Sequence, residues 1–181
     1  IPVDFNKNEN RFNWELVFCE LYAGGKYKNN SGENYEFSLG LNGLGTCATQ
    51  YSSEYMDATV YRDGFKYSLH FEKGENIGGL TKEPSELKTT GTIIKWKPDI
   101  DVFTDIDIKP DYFHDMLKKQ AIVNAGLEFI FKDENTGEVT SFKYENGISD
   151  YANELDNGKG ITSVCYLQNE TSGRDREDKP E

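Results

Sequence analysis

Ala58-Thr59-Val60-Tyr61-Arg62-Asp63-Gly64-Phe65-Lys66-Tyr67-Ser68-Leu69-His70-Phe71 is the stretch that decides the architecture. Asp-Gly between two apolar-alternating runs signals a two-residue hairpin turn, because such turns need residues that accept positive φ. Phe65, Tyr67, Leu69 and Phe71 alternate with polar residues, so one face of the second strand is expected to be buried. Downstream, Thr92–Trp96 reads as a further strand stopped by Pro98, which has no N–H to give a ladder. Upstream, residues 11–22 read as a helix: Phe12 with Leu16 and Val17 with Leu21 are i,i+4 pairs, and Gly24-Gly25 ends the run. Residues 24–45 show neither period. A stretch of that length usually forms a lid or binding loop, and a short helix is expected after Gly45.

The C-terminal part alternates between the same two kinds of element. Pro110 suits the first turn of a helix running to about Asn124, with Gly126 just past its end. Leu127–Phe131 and Val139–Tyr144 flank Glu134-Asn135-Thr136-Gly137 as a second hairpin. Ile148, Tyr151, Ala152 and Leu155 have the spacing of a short amphipathic helix, and Ile161–Leu167 reads as a last strand. Strands and helices come in segregated groups, so the fold class is α+β with a largely antiparallel sheet.

The chain has 181 residues, 36% hydrophobic and 13% aromatic, enough for a packed core. Twenty basic against 32 acidic residues leave a formal charge of −12, which repels a nucleic-acid backbone and argues against direct DNA binding by this segment. No apolar run is long enough to span a bilayer, and no signal peptide is visible. Cys19, Cys47 and Cys165 are odd in number and widely spaced. That pattern suggests neither a disulfide framework nor a zinc site and fits a reducing, cytoplasmic setting. Ile1 is not a start residue, so a processed or partial chain is expected, and Asn169–Glu181 reads as a solvated tail or hairpin tip.

The segment that carries chemistry is Ser38-Leu39-Gly40-Leu41-Asn42-Gly43-Leu44-Gly45. Glycine lets a backbone take φ > 0 and lets a ligand approach the main chain. A helix N-terminus offers free N–H groups and partial positive charge. Together they make a phosphate cradle that needs few basic side chains, which suits an acidic domain. On its own the pattern is weak, and such a loop is more often a plain turn and helix cap. It is neither a Rossmann fingerprint, since no strand precedes it, nor a Walker A loop, since no Lys-Ser or Lys-Thr follows Gly45.

Five blocks occur in one order: Ile1-Pro2-Val3-Asp4, Leu21–Tyr27, Ser38–Gly45, Thr90-Gly91-Thr92 with Trp96-Lys97-Pro98-Asp99, and Tyr144–Ile148. The series resembles the ATP-binding region of bacterial type IIA DNA topoisomerases, the family formed by gyrase B and its topoisomerase IV counterpart. The likeness runs over roughly residues 1–160. It implies the GHKL (Bergerat-type) ATPase fold, a two-layer sandwich with helices on one face of a mostly antiparallel sheet. It also implies residues 1–160 as that domain, lacking its N-terminal part, and 161–181 as the start of a transducer domain. The implied function is ATP-driven gate closure for DNA strand passage, an isomerase activity. ATP and Mg2+ are the implied cofactors. The implied partners are a second copy of the subunit, the DNA-cleaving subunit, and DNA met only through the whole enzyme.

Residue by residue, the resemblance implies that Gly40, Gly43 and Gly45, with the backbone of Leu41, Asn42 and Leu44, wrap the triphosphate. Lys26 and Tyr35 would reach phosphates, Thr92 adenine, and Arg62 the pocket mouth, while Pro2, Val17 and Ile94 would be apolar walls. Each has an ordinary alternative: surface lysine, loop aromatic, strand threonine, solvated arginine or core. Leu39 stands where the family has glycine and Asn42 where it has histidine. The family's catalytic glutamate, magnesium-binding asparagine and adenine-reading aspartate are expected before Ile1, and its transducer lysine beyond Glu181. Glu15 and Glu20 do not sit at the catalytic positions, and His70 and His114, expected at surface or strand positions, match nothing. This chain alone is therefore expected to be inactive, with residues 26–38 its most mobile part. The alternative is a non-enzymatic or degenerate GHKL-like binding module. Other families sharing this fold fit the Ala-Gly-Gly-Lys and Thr-Gly-Thr blocks poorly.

Overall fold

A computed structural model describes residues 1–23 and 43–167. It divides into two compact units, residues 1–106 and 107–181.

In the first unit the expected hairpin forms with the expected turn. Strands β3 (Ser53–Arg62) and β4 (Phe65–Glu72) pair antiparallel from Arg62↔Phe65 to Tyr55↔Glu72. Asp63 and Gly64 both take positive φ, as a turn of this hand requires. Strand β5 (Glu75–Pro84) follows through Lys73-Gly74, also at positive φ, and β6 (Gly91–Pro98) pairs with β3. The four-stranded sheet has the order β5-β4-β3-β6, so β6 is an edge among the described strands. The sequence pattern does not reveal β5, because Gly78-Gly79 interrupts its alternation. Both glycines have positive φ and sit where the β4–β5 register shifts between Ser68 and His70.

Strand alternation sorts the sheet's faces. Met56, Ala58 and Val60 of β3 and Leu69 and Phe71 of β4 form a buried cluster with Val3, Trp14 and Phe18. Trp14 and Phe18 come from α1 (Asn13–Cys19), the short helix that covers this face. The helix is shorter than the pattern predicts. Arg11–Phe12 forms strand β2, paired with β1 (Phe5–Asn6), and the Glu15 carboxylate turns back to accept the Phe12 N–H at 2.7 Å. The helix ends at Cys19, before Gly24-Gly25, with Glu20 already extended. Helix α2 (Gly45–Tyr51) packs on α1 and leads into β3.

The second unit holds α3 (Pro110–Val123), the hairpin β7 (Glu128–Lys132)–β8 (Val139–Lys143) and α4 (Ile148–Asp156). Phe113 of α3 stacks on Phe131, and His114 lies edge-on to Phe131 at 4.5 Å between centroids. His114 is therefore a helix residue against the hairpin, not a strand residue. Helix α4 has the expected amphipathic spacing, yet Ile148 and Leu155 remain exposed. The strand expected over Ile161–Leu167 is absent, and Ile161 is fully exposed. An apolar alternation becomes a strand only when a neighbouring strand takes its N–H and C=O groups. None of the described strands does so here.

Candidate functional site

The strand register puts several of the singled-out residues on one face of the first unit's sheet. Thr92 lies directly opposite Val60 and Ile94 directly opposite Ala58, so both side chains share the face that α1 packs against. Arg62 continues the same alternation at the end of β3, opposite Phe65. Helix α1 covers β3 and β4 but leaves β6 open. Thr92 is exposed, and Ile94 and Trp96 keep 39% and 42% of their surface accessible beside the fully buried Met56 and Ala58. The result is an open shelf whose floor is apolar and whose outer strand offers one hydroxyl.

Val17 is half-buried on α1 and packs against the core cluster that underlies this shelf. Pro2 is exposed beside the buried Val3. The backbone continues from there into Asp4, which ends the first family block but is not among the expected site residues. The Asp4 carboxylate lies 3.7 Å from the Arg62 guanidinium, and its backbone carbonyl accepts the Asn13 N–H at 2.9 Å. Arg62 is also held by Asp63 at 3.1 Å. Two carboxylates thus offset the charge of the shelf's arginine. The only sequence signal for Asp4 is its place directly after Ile1-Pro2-Val3.

Of the glycine loop, Gly43, Leu44 and Gly45 are described, whereas Lys26, Tyr35, Gly40, Leu41 and Asn42 fall outside the described residues, as does the stretch 26–38. Gly43 has φ +60, a conformation in which a side chain is strained. Leu44 caps α2, its backbone carbonyl accepting the Ala48 N–H at 2.8 Å. Among the described residues a Cβ on Gly45 would meet nothing within 4 Å, so they leave the main chain there open to approach. Along the buried side of α2 lie Cys47 and Gln50. Gln50 is 1% exposed, with neither amide atom partnered among the described residues.

Acid–base and metal chemistry have little support among the described residues. Glu15 is occupied as the α1 cap and Glu20 pairs with Arg11. No group of three or more His, Cys, Asp or Glu side chains among the described residues converges on a metal position, so these residues do not fit a magnesium site. Burial pushes the Cys19 thiol up to about 11 and also raises Cys47, which leaves both as protonated thiols rather than nucleophiles.

No family model matches the chain. The DNA gyrase B protein of Thermotoga maritima is 35% identical over 169 residues, 93% of this chain and 26% of that protein. The B protein of DNA topoisomerase 4 from Salmonella typhimurium is 35% identical over 159 residues, 87% of this chain and 25% of that protein. This chain is a homologue of gyrase B and its topoisomerase IV counterpart. It spans about a quarter of the length of the curated relatives it matches.

Solved structures place the homologue's fold as well. The 43K ATPase domain of Thermus thermophilus gyrase B, in complex with an aminocoumarin, superposes with a TM-score of 0.70 over 87% of this chain and 38% of its own, at 24% identity. The topoisomerase IV ATP-binding domain of Francisella tularensis, with a small-molecule inhibitor, gives 0.71 over 95% and 44%, also at 24% identity. The fold is that of the GHKL ATPase domains, α+β as the segregated pattern implies. No described helix is long and apolar enough to cross a membrane.

Proposed function

We propose that this protein supplies the phosphate-loop side and the sheet floor of the ATP site in a type IIA topoisomerase ATPase subunit. The observation that carries the reading is the convergence of Thr92, Ile94 and Arg62 on one open sheet face. With it go a glycine at positive φ and an accessible main chain leading into α2. An adenine would lie on the apolar shelf of Ile94, Val17 and Pro2, with the Thr92 hydroxyl as its polar handle. Gly40, Gly43 and Gly45, with the main chain of Leu41, Asn42 and Leu44, would wrap the phosphates, assisted by Lys26 and Tyr35. Arg62 would meet whatever part of a ligand reaches the shelf's mouth, once it leaves Asp4 and Asp63.

In the whole protein this site would work with a second copy of the subunit, closing a gate on DNA as ATP binds and resetting on hydrolysis, while a partner subunit cleaves the DNA. Such hydrolysis needs a positioned carboxylate to orient water and a metal ion to neutralise the phosphates. Because Glu15 and Glu20 are already engaged, the protein by itself is expected to turn over ATP negligibly.

A second reading is a binding module of the same fold without enzymatic use. Its specific support is the pairing of Arg62 with two carboxylates in a protein of net charge −12, which weakens attraction for an anion. One experiment separates the two. ATP binding is measured by calorimetry for this protein and for a chimera in which the segment preceding the matched block of Thermotoga maritima gyrase B is joined to Ile1. Binding by the chimera that Gly43→Val abolishes is the expected result. If the chimera folds and does not bind, the glycine loop is structural and the module reading takes its place.

A further inference from the structure

The sheet's other face carries a group that the nucleotide reading does not use. Register places Lys95, Asp57, His70 and Ile77 in one row across β6, β3, β4 and β5, and Ile93, Thr59, Ser68 and Thr81 in the next. These residues line an open concavity of about 390 Å3, with Gly78 and Gly79 of the β5 irregularity on its rim. Serine, histidine and aspartate together invite a hydrolase reading, and the geometry excludes it. His70 Nδ1 lies 2.6 Å from Asp57 Oδ1, and Nε2 lies 3.1 Å from Glu72 Oε1. Neither ring nitrogen is left to take a proton from Ser68.

The same two distances say which form of the ring belongs there. A neutral imidazole has one N–H and one lone pair, whereas an imidazolium has two N–H groups. Two ionised carboxylates, one on each nitrogen, can both be satisfied only by the cation. Deprotonation would set a lone pair against a carboxylate at one end. Beyond Asp57 and Glu72, the titratable groups around His70 are more distant in register. Tyr55 lies on β3, Lys66 on its own strand, Glu75 opposite Glu72 on β5, and Lys95 and Lys97 beyond β3 on β6. Lys97 is paired with Glu54, and Lys95 lies over the Tyr55 ring, 5.8 Å from its centroid.

We propose that His70 is a proton clasp between β3 and β4, and that proton release from it loosens the sheet that carries Arg62, Thr92 and Ile94 on its opposite face. The ring's pKa is raised above its ordinary value, first by the hydrogen bond to Asp57 and then by that to Glu72, against a smaller opposing effect of burial. A folded-state pKa above the unfolded one means that the clasp contributes fully below about pH 6.5 and is lost as pH rises through the folded pKa. The side chain is 39% exposed, so solvent screening keeps the effect modest.

The test uses the 181-residue protein. Proton–carbon NMR follows the two histidine rings through a pH titration while thermal midpoints are recorded from pH 6 to pH 9. His70 is expected to titrate above about 6.5, with Asp57→Asn lowering that midpoint more than Glu72→Gln. The thermal midpoint should fall with rising pH in the parent protein and more weakly in His70→Gln, which keeps neutral hydrogen bonds. A His70 midpoint at or below about 6.5, or equal thermal slopes in parent and variant, overturns the clasp. Should His70→Gln fail to fold, the NMR midpoints of the parent and of Glu72→Gln decide the question alone.

Discussion

Replacing Phe18 by alanine probes how the shelf is held. Helix α1 has seven residues, far too short to persist alone in water, so its position depends on what it buries. Trp14 and Phe18 are its buried residues. Phe18 is 0% exposed and its ring centroid lies 5.5 Å from that of Phe71, which Trp14 also meets edge-on at 6.2 Å. Removing the ring forfeits its transfer free energy and leaves a cavity, together about 3–5 kcal/mol. That is a large share of the roughly 5–15 kcal/mol that stabilises a domain. Both tryptophans, Trp14 and Trp96, belong to the first unit, so their fluorescence reports its unfolding separately from the second. With a urea m-value of about 1–3 kcal/mol/M, the midpoint should drop by roughly 1–5 M with m unchanged. Phe12→Ala is the control. Phe12 is exposed and meets Phe5 edge-on at 5.3 Å, so its loss should cost only about 0.5–1.5 kcal/mol. A Phe18→Ala loss below about 1 kcal/mol at constant m would refute the reasoning, since α1 would then be held by something other than this ring.

Two further outcomes follow from buried groups near the glycine loop. Gln50→Leu should leave stability unchanged or raise it by about 1–3 kcal/mol in the same urea assay, because it removes an amide buried without a partner among the described residues; a clear loss would mean that the amide is satisfied after all. Thiol titration with an aromatic disulfide at pH 8 should release one equivalent quickly, from the exposed Cys165, and two slowly. Burial keeps Cys19, at about 11, and Cys47 protonated; three equally fast equivalents would show that α1 and α2 open readily.

Several local features can be read directly from neighbouring residues. Asp63-Gly64 specifies its hairpin because the turn's positive φ values depend on the preferences of those two residues. Pro110 and Gly126 bracket α3 for equally local reasons. Strand β5 is not legible, since Gly78-Gly79 breaks its alternation and only pairing with β4 makes it a strand. Residues 161–167 show the reverse case, an alternation with no described partner strand. Helix α1 begins later than its period suggests because Arg11-Phe12 pairs as a strand with Phe5-Asn6, and the Phe12 N–H is taken by the Glu15 carboxylate.

The candidate site divides in the same way. Gly43 and Gly45 announce themselves by residue type and order, as do Thr92 and Arg62 through the blocks and turn they adjoin. That Arg62, Thr92 and Ile94 share a face is fixed by the β3–β6 and β3–β4 registers, which no short window of sequence contains. Asp4 reaching Arg62, and Asp57 and Glu72 closing on His70, likewise depend on side chains that meet only once strands are paired. The sequence by itself determined the turns, the glycine loop and the order of the family blocks, because each depends on the preferences of adjacent residues. Only the tertiary structure decided which side chains share a face and which charges neutralise one another, because those contacts join residues far apart in sequence.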